Sequence, residues 1–191
     1  MFEIKKKFWL DPAQSALVVI DVQEKLTPAM NANLYQQLLM NTPLLIEGCK
    51  ALGMPIMTTE QYPKGLGHTI PELAQATEEC CIEKMTFSCC GDETFAQALE
   101  QKGVRQVVIV GMETHVCVLQ TVLDLLERGY VVHLVRDALA SRFVSDYNNG
   151  LELAAQAGAV ITTTETALFQ LVKVAGTDVF KTISKLVRKR T

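Results

Sequence analysis

Hydrophobic and polar positions along this chain fall into blocks. Short, continuously apolar runs recur, and each is followed by a longer stretch with apolar residues three and four apart. Ser15 to Ile20, SALVVI, is the first run and ends at the carboxylate of Asp21. Hydrophobicity without alternation marks a central parallel strand covered on both faces. Asn31 to Leu52 then carries leucines, methionines and isoleucine at helical spacing, with Pro43 predicting a kink or break and Gly53 the end. Pro55 to Thr59 predicts strand two, Cys81 to Met85 strand three, ending near Lys84, and Asp92 to Lys102 a helix closed by Gly103. Val107 to Val110 is strand four; Gly111 stops it, and a helical pattern runs from Thr114 to Gly129. Tyr130 to Val135 predicts strand five, ending at Arg136-Asp137, and Asp146 to Ala157 a helix closed by Gly158. Ala159 to Thr162 gives a short strand six, Thr164 to Val174 a helix, and GTDVFKTISKLVRKRT an amphipathic helix with a basic end.

Strands alternate with helices over all 191 residues, with no composition break, repeat or low-complexity segment. That pattern predicts one α/β domain, residues 1–191, in three α-β-α layers around a six-stranded parallel sheet of order 3-2-1-4-5-6. Ligands of such sheets bind beyond the carboxyl ends of the strands, where the order reverses. Asp21, Lys84 and Cys117 are delivered to that edge from three distant parts of the chain. Glu60 to Pro71, EQYPKGLGHTIP, is rich in Gly and Pro and predicts a loop over a site.

Composition narrows the class. With 49% hydrophobic residues the chain is not disordered, and no apolar run reaches the roughly 18 residues that span a bilayer. The start, MFEIKKKFWLDPAQ, lacks a cleavage site of small residues, so a cytoplasmic protein is expected. A net charge of −3 argues against a nucleic-acid surface. The basic C-terminal end reads as a solvated helix terminus, with an RNA or membrane contact as the alternative. Six cysteines, two pairs of them adjacent, do not form a disulfide framework, and three histidines without ligand spacing predict no metal. No G-x-G-x-x-G or P-loop follows strand one, so no phosphate cradle and no nucleotide cofactor is expected.

Cys117 sits just after a strand, at the start of a helix. With Thr114 as N-cap it takes the third helical position, where free N–H groups and the helix dipole favour thiolate. Each residue also has a plain structural reading: Asp21 a helix cap, Lys84 a surface charge, Cys117 a small buried hydrophobe.

VVIDVQ around Asp21, EKMTFS around Lys84 and GMETHVCV around Cys117, in that order and spacing, resemble the three motifs of the isochorismatase-like cysteine hydrolases. That superfamily includes nicotinamidases and N-carbamoyl amidohydrolases. The resemblance covers residues 15 to about 170, and EQYPKGLGHTIPEL is similar to a subgroup of unknown substrate. It implies a catalytic triad of Asp21, Lys84 and Cys117, in which Asp21 moves the thiol proton, Cys117 attacks an acyl carbon and Lys84 holds the carboxylate. It further implies a cis peptide between Met112 and Glu113, so that the N–H groups of Glu113 and Cys117 form an oxyanion hole. Nicotinamidases carry an Asp and His metal cluster after strand two; here EQYPKGLGH offers His68 alone, so no catalytic metal is implied. His115 replaces the usual Asp or Asn, as a pocket residue or a structural histidine. Because isochorismate-cleaving members lack the cysteine, Cys117 points to amide or carbamoyl compounds.

The expected partner is thus a small-molecule substrate, with Gln23, Tyr62, Phe87, Met112 and His115 as candidate pocket walls and core or loop roles as their alternatives. The family resemblance also implies a homo-oligomer, a dimer or larger. Two other readings stand beside the hydrolase: an oligomeric binding or scaffold protein with a vestigial site, and a redox-sensing thiol protein with Cys89-Cys90 as resolving pair.

Overall fold

The structure, a computed structural model, describes residues 4–188 and Arg190. The first three residues of the N-terminal stretch, and Lys189 and Thr191 of the basic end, lie outside the described residues. In chain order the elements are α1 (Ile4–Phe8), β1 (Ser15–Ile20), α2 (Ala32–Ala51), β2 (Ile56–Gln61), α3 (Pro63–Leu66), β3 (Cys81–Lys84) and α4 (Glu93–Gln101). There follow β4 (Gln106–Met112), α5 (Leu119–Glu127), β5 (Val131–Ala140), α6 (Val144–Ala157), β6 (Val160–Thr162), α7 (Thr164–Val172) and α8 (Asp178–Val187). The six strands form one sheet of order β3-β2-β1-β4-β5-β6, every neighbouring pair parallel.

Every residue of β1 and β4 is buried, which is why these runs are apolar without alternation. One core, between the sheet and α2, α7 and α8, joins Leu17, Val19 and Val108 to Leu45, Cys49, Leu168 and Ile183. The other, between the sheet and α4, α5 and α6, joins Val18, Ile20 and Ile109 to Phe95, Cys117, Val122 and Leu151. Gly111 lets β4 reach β1: a Cβ there would lie 2.1 Å from the Ile20 carbonyl oxygen, and its φ of +120° suits glycine alone.

Several element ends differ from the sequence expectation, each for a local reason. Pro43 does not break α2. The helix is capped by Asn31 Oδ1, which accepts the N–H groups of Asn33 and Leu34, and it continues because Leu44, Leu45, Ile46 and Cys49 beyond the proline are buried. β2 runs on to Gln61, so Glu60 and Gln61 belong to the strand and the loop begins at Tyr62. β5 does not end at Arg136-Asp137 but continues to Ala140. Its register with β4 jumps from Ile109↔Leu134 to Gly111↔Leu139, so the charged pair rides in a bulge. There Asp137 Oδ1 accepts from the N–H and hydroxyl of Thr164. α6 begins at Val144, two residues earlier than expected.

Candidate functional site: a buried acid, ammonium and thiol

The ends of β1, β2 and β3 and the start of the helix after β4 meet at the reversal of strand order. Asp21 leaves β1 with a left-handed backbone, φ +52°, which an aspartate tolerates better than most residues and which re-aims its side chain at the end of the strand. It is fully buried. Its Oδ1 accepts the Thr59 hydroxyl at 2.7 Å, and its Oδ2 accepts Lys84 Nζ at 2.6 Å. Lys84 ends β3 and reaches inward. Besides Asp21, its Nζ donates to Gln61 Oε1 at 2.8 Å and to the carbonyls of Phe87 at 3.1 Å and Thr86 at 3.2 Å. Burial works against the ammonium, yet Asp21 and the nearby thiols Cys89 and Cys117 outweigh it and hold Lys84 above its ordinary pKa. The lysine is charged because its surroundings replace the water it has lost.

Cys117 completes the cluster, but its helical setting differs from the expectation. Thr114 is not an N-cap: its hydroxyl donates to the Ala140 carbonyl at 3.1 Å, and the turn Thr114–Val118 is π-helical, with Val118 N–H donating to Glu113 O five residues back. Cys117 is therefore the fourth residue of a wide turn rather than the third of an α-helix. The expectation of a resting thiolate is corrected too. Burial pushes the Cys117 thiol well above its ordinary pKa, the Asp21 carboxylate pushes it further, and Lys84 offsets only part of this. Cys117 rests as a thiol beside the Asp21 carboxylate. The Met112–Glu113 peptide bond just before it is cis.

Thr59, Gln61 and Thr121, also in the cluster, were not singled out from sequence, and Cys89 was named only as half of a resolving pair. Thr59 pairs with Ile20 across β2 and β1 and fixes one oxygen of Asp21; Gln61 holds Lys84. Cys89, fully buried with its thiol raised to about 12 by burial, donates Sγ to Thr59 Oγ1 at 3.7 Å. Thr121 Oγ1 accepts the Cys89 N–H at 2.9 Å and donates to the Cys117 carbonyl at 2.7 Å, tying the two cysteine segments together. The sequence signal for Thr59 and Gln61 is a polar tail, TTEQ, on an otherwise apolar strand.

The proposed pocket walls lie in different settings. Gln23 is fully buried and its amide is engaged: Nε2 donates to the carbonyls of Gln61 and Gly67, and Oε1 accepts the Gln61 N–H. It pins the loop instead of facing a ligand. Met112 is fully buried in the α2-side core. Tyr62 and Phe87 are exposed at the rim, Tyr62 with a left-handed backbone. His115 is partly exposed, its Nδ1 3.1 Å from Ser141 Oγ and its Nε2 3.7 Å from Asp146 Oδ2. Glu113 accepts from the backbone N–H and Nε of Arg142, at 3.1 and 3.0 Å. His68 Nδ1 donates to Glu60 Oε2 at 2.9 Å, and Glu60 Oε1 also accepts the Thr69 N–H and hydroxyl, which closes the loop down on β2. Among the described residues no group of three or more His, Cys, Asp or Glu is arranged to hold a metal ion.

An open parallel sheet with a charged, buried cluster at its reversal point defines an α/β protein whose chemistry lies at the carboxyl ends of its central strands. The chain belongs to the isochorismatase family: residues 15–166 match the Isochorismatase domain. It is 40% identical over 186 residues to Isochorismatase family protein 1A of Dictyostelium discoideum, covering 95% of this chain and 89% of that one. It is also 40% identical over 179 residues to Isochorismatase domain-containing protein 1 of Danio rerio, covering 94% of this chain but 62% of the relative, so it spans less than two thirds of that protein. Among solved structures, the MAR1 ribonuclease of Caenorhabditis elegans superposes with a TM-score of 0.88 at 38% identity, over 94% of this chain and 92% of that one. The YcaC product of Escherichia coli, described as an octameric hydrolase of unknown specificity, has a TM-score of 0.89 over 95% and 90% of the two chains; at 24% identity it shows the fold alone.

Proposed function

We propose that this chain is a cysteine-dependent hydrolase of a small carboxamide or carbamoyl compound. The observation that carries the reading is Asp21, held at 2.6 Å by Lys84 and acting on the Cys117 thiol inside a buried cluster. A raised thiol pKa suits a step in which proton and nucleophile move together: Asp21 takes the proton from Cys117 as Sγ bonds to the acyl carbon, so no free thiolate has to accumulate. The carbonyl electrons move to oxygen, and the oxyanion is received by the N–H groups of Glu113 and Cys117. Asp21 then gives the proton to the leaving nitrogen, the C–N bond breaks, and a thioester remains. Water, deprotonated by Asp21, attacks the thioester; the acid product leaves and Cys117 recovers its proton. Lys84 holds Asp21 in place throughout and pairs with its carboxylate each time the proton leaves. Tyr62, Phe87 and His115 are the walls we assign to the substrate. Gln23 and Met112 act from behind them, and no cofactor enters the scheme.

The test is ammonia release over a panel of small amides and ureas, run beside iodoacetamide labelling of Cys117 as a function of pH in wild type, Asp21→Asn and Lys84→Ala. The hydrolase reading expects a hit that wild type turns over and that Asp21→Asn, Lys84→Ala and Cys117→Ala each lose. If Cys117 labels like free cysteine and neither neighbour matters, the triad is wrong. Because the C. elegans neighbour is described as a ribonuclease, an RNA arm belongs in the same panel; RNA cleavage surviving Cys117→Ala would replace the amidase reading. All six cysteines are free, which fits a reducing compartment, and a homo-oligomer is the assembly we expect light scattering to find.

A further inference from the structure

At the edge of the sheet opposite the charged cluster, where β4 and β5 begin, α1 and the segment after it fold over a cleft of about 600 Å³. Trp9 and Val131 form apolar walls, and Lys5, Lys6, Arg105 and Lys173 bring cations. Asp11 is the one carboxylate in the described lining, and it already pairs with Lys173 at 3.2 Å. On a chain of net charge −3, Lys5 and Arg105, both exposed and outside the Asp11–Lys173 pair, make this lining basic.

The cleft is held open by specific bonds. Gln106, buried at the start of β4, donates Nε2 to the Trp9 carbonyl at 2.8 Å, while its Oε1 accepts the Asp11 N–H at 2.8 Å and the Ser15 hydroxyl at 2.9 Å. His133 Nε2 donates to the Lys7 carbonyl at 3.0 Å. These bonds fix the backbone on either side of Trp9, yet the residue stays 48% exposed. A large aromatic pinned through its backbone and left open beside cations is a stacking surface with a counter-charge, and the volume falls in the roughly 300–1,000 Å³ range of small-ligand pockets.

We propose that this cleft binds a small aromatic anion, its planar ring against Trp9 and its carboxylate, sulfonate or phosphate against Arg105 and Lys5. Arg105 supplies the planar, forked donor that such an anion takes in pairs, and Lys5 a mobile point charge. The site is independent of any reaction at Cys117, so the two proposals stand or fall separately.

Trp9 is the chain's only tryptophan, so a single indole N–H resonance reports on the cleft. The intact chain is titrated with 1-naphthoate and, in parallel, with its neutral analogue 1-naphthalenemethanol, in wild type, Arg105→Gln and Lys5→Gln. Saturable movement of the indole resonance by naphthoate is expected, with the alcohol and the Arg105→Gln protein each about tenfold weaker and Lys5→Gln a few-fold weaker. Salt should weaken naphthoate and leave the alcohol unchanged. Because both cations are exposed, the variants keep the fold, and either one alone can decide the matter. An indole resonance that does not move, an alcohol that binds as well as the acid, or either variant binding like wild type would each overturn the site.

Discussion

The two cores on either side of the sheet each bury a cysteine, and they treat it differently. Cys49, between α2 and the sheet, is fully buried among Leu45, Ile46, Leu168 and their neighbours; burial alone raises its thiol to about 12. Cys117, on the other side, is also raised by burial, but a carboxylate stands beside it and an ammonium behind the carboxylate. Burial makes both thiols poor acids, and only the second has a base in contact. Depth in the core therefore does not distinguish the two cysteines; the presence of a neighbour that could take the proton does, and on the hydrolase reading that neighbour is what makes Cys117 the nucleophile.

The largest effect should come from removing that difference directly. Cys117→Ala is expected to lower turnover of whatever amide the screen identifies by at least about a thousandfold, since nucleophile and base act as a unit. Cys49→Ala should leave turnover within about twofold. Steady-state rates on the two proteins decide it, and equal losses would erase the contrast.

Next in size is the stability of the charged side. Lys84→Ala strands Asp21 in the core, and breaking a buried pair from one end costs about 3–5 kcal/mol. Urea unfolding should show that loss. The double change Asp21→Asn with Lys84→Met removes both charges and should recover part of it. A Lys84→Ala protein as stable as wild type would mean that water reaches the cluster and that Asp21 was never isolated.

How far the sequence carried the contrast depends on the kind of information each feature uses. The order of the sheet and the delivery of Asp21, Lys84 and Cys117 to one edge were readable, because apolar run length and Gly stops are local signals. The support of the cluster was not. Thr59 acts through a register with Ile20, and Thr121 joins Cys89 to Cys117 across two elements; both are facts about pairing in space. The same holds for the errors. Arg136-Asp137 reads locally as a strand end, and only the neighbouring β4 turns it into a bulge; Pro43 reads as a break, and only the buried face beyond it keeps α2 whole. Thr114 has the composition of a cap but spends its hydroxyl on Ala140, a partner 26 residues away.

The quiet side of the sheet has its own titratable group, which offers a third test. His133 on β5 is fully buried, its Nε2 donates to Lys7 O, and its Nδ1 has no partner among the described residues. Burial lowers its pKa from 6.5 to about 4. The folded state thus refuses a proton that the unfolded chain accepts, so the unfolded chain binds more protons between those values. The stabilisation is complete above about pH 6.5 and is lost as the pH falls toward 4. The span corresponds to about 3 kcal/mol. Unfolding midpoints measured from pH 7 to pH 4 should fall in wild type and flatten in His133→Gln. An equal slope in both would show that this side, too, tolerates charge.

The smallest effect is the most specific to the comparison. Cys49→Ala removes one sulfur from a packed apolar site, which should lower stability by about 1 kcal/mol through lost contacts and a small cavity. Nothing on the other side of the sheet should respond. β1 and β4 separate the two cores with continuous buried side chains, and the side chains of Asp21 and Lys84 bond to Thr59, Gln61, Thr86, Phe87 and each other. Iodoacetamide labelling of Cys117 in the Cys49→Ala protein should keep its wild-type rate and pH dependence. A change in that rate would mean that packing behind the sheet sets the aim of Asp21, and the two cores would then be one device rather than a scaffold and a site.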